Sequence, residues 1–225
     1  MRLSSPSSDK FGGFDSPMTE GQFAELTNVS RGTMSDYIAW QQLLLRWNKR
    51  INLVAPKSLA DFWRRHALDS WQICQFLPEK AANIVDFGSG AGFPAISAAI
   101  QCKNIGQGRV LMIESAGKKA SFLKQVIRDL GLPADVSSDR IEKIAPLGAD
   151  VITARAFAPL DRLLEYAAPH SHAATEFILL KGETVEQEIE TARDRWTFDY
   201  KTVKSVSADS ASVLLISNVK TVAPT

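Results

Sequence analysis

Little in this sequence points to an unusual environment. Of its 225 residues only two are cysteine, Cys74 and Cys102, too few for a disulfide framework or a four-ligand zinc site. A reducing, cytoplasmic setting is expected, with both thiols acting as small buried apolar groups and no metal bound. No uninterrupted apolar run approaches the roughly 18 residues of a membrane span, so no membrane partner is expected. Residues 1–17 lack the apolar centre of a signal peptide, and their Ser, Pro and Gly read as a flexible leader. Net charge is almost absent as well: 26 Lys plus Arg against 25 Asp plus Glu leave a formal +1. That sum says nothing about distribution. The 45% hydrophobic content and a length of one domain with a small appendage exclude wholesale disorder, collagen and coiled coil.

Thr19 to Gln22 matches a capping box before a short helix, and Ser35 is placed to cap a longer one. In the longer segment Tyr37, Trp40, Leu44, Trp47 and Ile51 recur at steps of three and four, one apolar helix face. Pro56 is expected to end it, and Ser58 to open another helical stretch through about Phe76. From Asn83 the rhythm changes. Short apolar runs at Ile84–Phe87, Arg109–Glu114, Ala134–Ser137, Asp150–Ala154 and Phe177–Lys181 alternate with helical segments. Alternation of this kind implies parallel strands with right-handed crossovers, hence a doubly wound α/β sheet. Phe198–Val206 and Val213–Val219 read as two antiparallel strands closing one edge. The expected architecture is an N-terminal basic helical cap, residues 18–80, on an α/β domain, residues 81–225.

The most informative stretch is Asp86-Phe87-Gly88-Ser89-Gly90-Ala91-Gly92-Phe93-Pro94, between a predicted strand and a predicted helix. Glycines there allow a sharp turn and close backbone approach to a ligand. Phe93 stands where a dinucleotide fingerprint requires its third glycine, and no Gly-Lys-Ser/Thr follows, so nicotinamide and nucleotide-triphosphate readings are disfavoured. Asp86 before the turn and Glu114 at the end of the second strand suit S-adenosylmethionine. Its amino-acid end carries an ammonium and a carboxylate, and its ribose hydroxyls need an acceptor. A tight structural turn beside a solvated glutamate is the competing explanation.

The chain resembles a known family on several further motifs. These are Asn48–Leu53, Arg65-His66-Ala67-Leu68-Asp69-Ser70, the glycine turn, Glu114-Ser115 with Lys118-Lys119, Arg140-Ile141-Glu142, Thr153–Leu160 and Leu180-Lys181-Gly182. Together they are similar to the bacterial ribosomal RNA small subunit methyltransferase G family, formerly glucose-inhibited division protein B. The resemblance runs from about Trp47 to Asn218. It implies a class I S-adenosylmethionine-dependent methyltransferase fold, Rossmann-like, with a mostly parallel seven-stranded sheet. It also implies methylation of a guanine N7 in small-subunit (16S) rRNA, in the loop beside the decoding centre, with S-adenosylhomocysteine as product. The implied cofactor contacts are Gly88, Phe93, Ile141, Glu142 and Arg155, which join Asp86, Gly90, Gly92 and Glu114. The sequence departs from the family in having Ala95-Ile96-Ser97 where Gly then Ile-Pro is usual, and Phe87 in place of the usual valine.

Guanine N7 carries a lone pair and no proton, so its methylation needs alignment and exclusion of water rather than a general base. No catalytic acid or base is therefore assigned. The fourth strand ends in Thr-Ala-Arg-Ala-Phe rather than the Asn-Pro-Pro-aromatic loop of adenine-amine methyltransferases, and neither cysteine is placed to attack a cytosine. Arg155 is the expected residue nearest the chemistry, with a strand-end ion pair as its alternative. Phe157 is a candidate base-stacking residue or a core aromatic, and Lys181 a site lysine or a solvated one. Cations cluster from Arg46 to His66 and again along Lys118, Lys119, Lys124 and Arg128, while Glu183, Glu186, Glu188 and Glu190 concentrate acid later. Lys49, Arg50, Arg64, Arg65, His66, Lys118 and Lys119 are the candidate RNA contacts. The expected partner is small-subunit rRNA or the ribosomal subunit rather than DNA, and nothing demands more than a monomer. A methyltransferase acting on protein or small molecules, and a non-catalytic RNA-binding module, are the other readings.

Overall fold

A computed structural model describes residues 16–222, so most of the expected leader lies outside the described residues. The N-terminal helices are α1 (Glu20–Thr27), α2 (Arg31–Asn48) and α3 (Pro56–Leu59). A mixed helical run follows: a π-helical stretch Trp63–Leu68, α4 (Asp69–Trp71) and a 3-10 turn Gln72–Phe76. Then come β1 (Asn83–Phe87), α5 (Ala95–Ile105), β2 (Arg109–Ile113), α6 (Gly117–Leu130), β3 (Ala134–Ser137) and a 3-10 turn Ile141–Lys143. The chain continues through β4 (Ala149–Arg155), α7 (Leu160–Ala167), β5 (Ser171–Lys181), α8 (Val185–Arg193), β6 (Trp196–Lys204) and β7 (Ser212–Thr221).

The strands form one sheet in the order β3-β2-β1-β4-β5-β7-β6. The first five are parallel, and β7 inserts antiparallel between β5 and the edge strand β6. The chain leaves β1 toward β2 on one side and reaches β4 on the other. That reversal opens a crevice beyond the carboxyl ends of β1, β2 and β4, where ligands of open α/β sheets bind.

The Thr19–Gln22 capping box forms as expected. Helix α2 departs from expectation at its start. Ser30 is its N-cap, accepting from the Thr33 backbone N–H at 3.1 Å, while Ser35 lies inside and returns its hydroxyl to the Arg31 carbonyl at 3.0 Å. Gly32 and Thr33 in the first turn, both weak helix formers, hide that start from propensity. Pro56 opens α3 rather than ending α2, which stops at Asn48, whose side chain binds the Leu53 and Val54 backbone. The stretch assigned to one helix from Ser58 to Phe76 is three kinds of helical turn in series.

Two cores lie on the two faces of the sheet. One joins α2 and the mixed helical run to α5 and α6; the other packs α7 and α8 on the opposite face. Trp40 is fully buried at the centre of the first, with ring centroids 5.6 Å from Phe62 and 5.0 Å from Phe93 of the glycine turn. Ser97, one of the departures from the family pattern, accepts the buried Tyr37 hydroxyl at 2.9 Å and so ties α2 to α5. The bulkier Phe87 fills the second core between Phe157 and His170, at 5.8 and 6.0 Å.

Candidate active site

The turn after β1 needs glycine at three positions, two of them for space as well as for conformation. All have positive φ, which costs an L side chain roughly 1–2 kcal/mol. A Cβ at Gly88 would also lie 2.5 Å from Cδ2 of Phe157, and one at Gly92 would overlap Cδ1 of Ile96. At Gly90 only the Gly88 carbonyl comes near, at 3.7 Å, so conformation alone selects glycine there. Gly90 donates its N–H to Glu114 Oε2 at 2.8 Å, and Glu114 Oε1 accepts from the Ala116 N–H at 2.7 Å. Glu114 therefore clamps the turn to the start of α6. Each of its oxygens keeps a lone pair for a further donor.

Beside this clamp lies a cavity of about 400 Å³ lined by Gly88, Ile113, Glu114, Ser115, Asp139, Arg140, Ile141, Glu142, Phe157, Ala158, Pro159, Arg162 and Tyr166. It lies at the crevice the topology predicts. Gly88, Glu114, Ile141 and Glu142 are thus brought together, with Ile141 buried and Glu142 exposed. Ser115, Asp139, Arg162 and Tyr166 were missed. Asp139 stands two residues before the recognised Ile141. Arg162 and Tyr166 are four apart on α7, a spacing that shares one helix face and was legible as such.

Asp86 does not line the cavity. It is fully buried behind the turn, with Oδ1 accepting from the Thr153 hydroxyl at 2.6 Å and Oδ2 without a hydrogen-bond partner. Burial pushes its carboxyl up to about 7, with the Ser89 and Thr153 hydroxyls limiting the rise. The folded state therefore holds a proton that the unfolded chain releases near 4. The stability this lends is complete below that pH and is lost as pH rises through about 7. Asp86→Asn should accordingly gain stability over the parent between about pH 5 and 8. Thermal unfolding across that range checks this, and a constant difference would mean that Asp86 titrates normally.

Phe93 and Arg155 sit at the junction with the helical cap. His66 stacks on Phe93 with centroids 4.4 Å apart and planes 14° from parallel, and the Arg155 guanidinium lies 5.0 Å from the same ring. Arg155 pairs with Asp69 at 2.8 Å and also donates to the Arg65 carbonyl at 3.1 Å. Of the two readings of Arg155, the ion pair is what the structure places there. Between Arg155 and Phe157, Ala156 adopts φ +51, an uncommon conformation for a residue with a Cβ. It separates the two side chains, one to the cap and one to the cavity wall.

Several expected surface roles need correction. Arg64 and His66 are buried, 8% and 2% exposed, and cannot present themselves to RNA. The Arg64 guanidinium reaches the Ser16 carbonyl at 3.2 Å, and packing among Phe62, Phe93 and Arg155 holds the His66 imidazole down to about 3, burial being the main cause. Charge reversal at Arg64 would therefore disturb the cap itself. Lys49, Arg50, Arg65 and Lys118 are exposed and Lys119 half-buried, as an RNA face needs. Lys181 is not a solvated lysine: its ammonium meets Glu188 at 2.6 Å and the Ala158 carbonyl at 3.2 Å. Glu188 in turn accepts from the Leu160 N–H at 2.9 Å, so this acid caps α7 rather than facing solvent.

The cavity suits S-adenosylmethionine by the chemistry of its donors. Ile113, Ile141, Phe157 and Pro159 offer apolar surface for a flat purine. Glu114 and Glu142 offer acceptors for ribose hydroxyls, whereas the buried Asp86 takes no part in the lining. Among the described residues no group of three or more His, Cys, Asp or Glu forms a metal site, and no helix is long and apolar enough to cross a membrane.

Comparison with known proteins places this geometry. Among solved structures, a SAM-dependent methyltransferase from Aquifex aeolicus is 17% identical, with a TM-score of 0.55 over 71% of this chain and 95% of that one. A Klebsiella pneumoniae protein described as a putative O-methyltransferase aligns with a TM-score of 0.60 at 13% identity, over 88% and 96%. These likenesses establish the class I methyltransferase fold. At the sequence level, the ribosomal RNA small subunit methyltransferase G of Paramagnetospirillum magneticum is 41% identical over 86% of this chain and 92% of its own length. That of Parvibaculum lavamentivorans is 42% identical over 86% and 87%. The family model for rRNA small subunit methyltransferase G matches residues 33–215, from the first turn of α2 into β7. With the fold, the glycine turn and that span in agreement, this chain belongs to the rRNA small subunit methyltransferase G family.

Proposed function

We propose that this chain transfers the methyl group of S-adenosylmethionine to N7 of a guanosine in small-subunit rRNA, in the loop beside the decoding centre. The observation that carries the reading is the cavity beside Glu114, which joins the glycine turn, apolar walls and ribose acceptors in one crevice. Family membership supplies the rRNA substrate class. When bound, the cofactor supplies an electrophilic sulfonium methyl.

The protein's part is alignment. Glu114 fixes the turn through Gly90 and Ala116, and Phe157, pressed against Gly88, forms one wall of the crevice. Guanine N7 carries a lone pair and no proton, so these residues would need only to hold the purine in line with the methyl carbon and exclude water, the thioether leaving as the carbon–sulfur bond breaks. Holding two reactants in such geometry lowers a barrier by about 7–11 kcal/mol. Two buried titratable groups behind the turn agree with chemistry that needs no base, and Glu114, also buried, is engaged by two backbone N–H groups. His66 stays neutral with its ring covered, and Asp86 is sealed behind the turn. The exposed Arg65, whose carbonyl holds Arg155, stands at the cap side of the site and is placed to meet RNA phosphate.

The test is incubation with methyl-labelled cofactor and unmethylated small subunits, followed by nuclease digestion and mass spectrometry. Label should appear as 7-methylguanosine in the small-subunit RNA. Label in protein or small molecules alone would overturn the reading.

A further inference from the structure

Away from the cavity, α2 and α6 meet along a seam. The Trp47 indole N–H donates to Gln125 at 3.1 Å, and its ring lies 5.8 Å edge-on from Phe122. Arg46 and Arg50 flank that contact on α2 and in the turn after it, four residues apart and therefore neighbours. On α6, Lys124 and Arg128 are neighbours one turn apart and Lys118 is exposed in the first turn, while Phe122, Leu123 and Val126 are buried; Asp129, which accepts from Gln125 at 3.2 Å, adds one acid at the seam. All five cations are exposed. Arg128 has only the adjacent Asp129 at 3.5 Å, with its side chain 70% exposed. Among the described residues Arg46, Arg50, Lys118 and Lys124 have no carboxylate within ion-pair distance. Elsewhere on the surface Lys103, Arg109, Arg162, Arg195 and Lys204 each lie beside one, while exposed cations such as Lys80, Lys143, Lys201 and Lys220 stand singly rather than in a cluster.

We propose that the α2–α6 seam is a docking track for the RNA phosphate backbone, running from the cavity mouth along α6. The inference rests on the rRNA reading above and deepens it. One end of the track is fixed by covalent structure: Glu114 and Ser115 line the cavity, and Lys118 follows within the first turn of α6. The 14-residue helix carries the track roughly 20 Å from there, a reach of several phosphates. Cations left unpaired on two abutting helices repel one another, and a polyanion removes that cost. A track of this kind adds affinity and orientation without reading sequence.

The experiment uses the full chain with Arg46→Gln, Arg50→Gln and Lys124→Gln combined, all on solvent-facing positions. Calorimetric affinity for S-adenosylmethionine should be unchanged, which also reports an intact fold. Affinity for protein-free small-subunit rRNA should fall about 10- to 100-fold, and the slope of log affinity against log salt should flatten by about two to three. KM for subunits should rise while kcat at saturation holds. Parental affinity and slope in the variant would overturn the track. So would an equal loss in a control pair on the β6–β7 edge, Lys201→Gln with Lys220→Gln, since binding would then be diffuse. Weaker binding to whole subunits with rRNA binding intact would assign the seam to a protein partner instead. If the parent itself places no label in rRNA, the functional reading fails, independently of the seam.

Discussion

Gly88→Val should abolish measurable cofactor binding, and Gly88→Ala should weaken it roughly 100-fold, about 3 kcal/mol. Two separate penalties meet at this position. The backbone holds φ at +67, where a side chain costs roughly 1–2 kcal/mol and a β-branched one more. The added Cβ would also sit 2.5 Å from Phe157, whose ring is wedged between Phe87 and Tyr166 at 5.8 and 5.7 Å and cannot retreat without disturbing both. Phe157 is a wall of the cavity, so either the turn or the wall must move, and both define the site. Gly131→Ala supplies the control. Gly131 caps α6 at φ +60, and an added Cβ there would meet nothing within 4 Å, so that change should cost stability through strain alone. Calorimetry on the two variants separates the cases. Equal cofactor affinity in both would make the Gly88 turn purely structural.

The legibility of the chain divides along the same line as this contrast. Strand and helix alternation from Asn83 onward was readable because each element carries its own period and its own stop. Ala134–Ser137 matches the observed strand residue for residue, and the rest deviate mainly at their ends. The glycine turn was readable because a backbone requirement is written into residue type at one place. The cap was less so. Ser30 and Ser35 are equally good caps in isolation, and only the packing of Tyr37 and Trp40 against α5 and the glycine turn decides where α2 begins. The roles of Arg64, His66, Lys181 and Glu188 depended on burial and on partners that fold back from elsewhere. A cation beside other cations reads as surface charge until its neighbours in space are known. Arg64 and His66 are interior, Arg65 between them is exposed, and that pattern comes from a π-helical turn no propensity scale encodes. Arg155 illustrates the limit best, because its partner Asp69 is 86 residues away.

That pair sets the second large effect. Asp69→Ala should destabilise the protein by about 3–5 kcal/mol, toward the lower figure because the Arg155 side chain stays a quarter exposed. Asp69 is a hub. Its Oδ2 takes Arg155 at 2.8 Å, while its Oδ1 accepts from the Ser207 hydroxyl at 2.6 Å and the Gln72 amide at 3.0 Å. One carboxylate thus binds the end of β4, the loop between β6 and β7, and the helical cap. Without it the Arg155 charge keeps only the Arg65 carbonyl and the His66 ring nitrogen, at 3.1 and 3.2 Å, over the face of Phe93. The loss should reach the cofactor as well, because Phe93 ends the glycine turn and is held between His66 and Arg155. Replacing both partners, Asp69→Ala with Arg155→Met, removes the uncompensated charge. Denaturant unfolding should then show the double variant recovering about half or more of the loss, a coupling above roughly 1 kcal/mol. A coupling near zero would make the contact an ordinary surface pair, and cap and sheet would then be joined by their shared aromatic core alone.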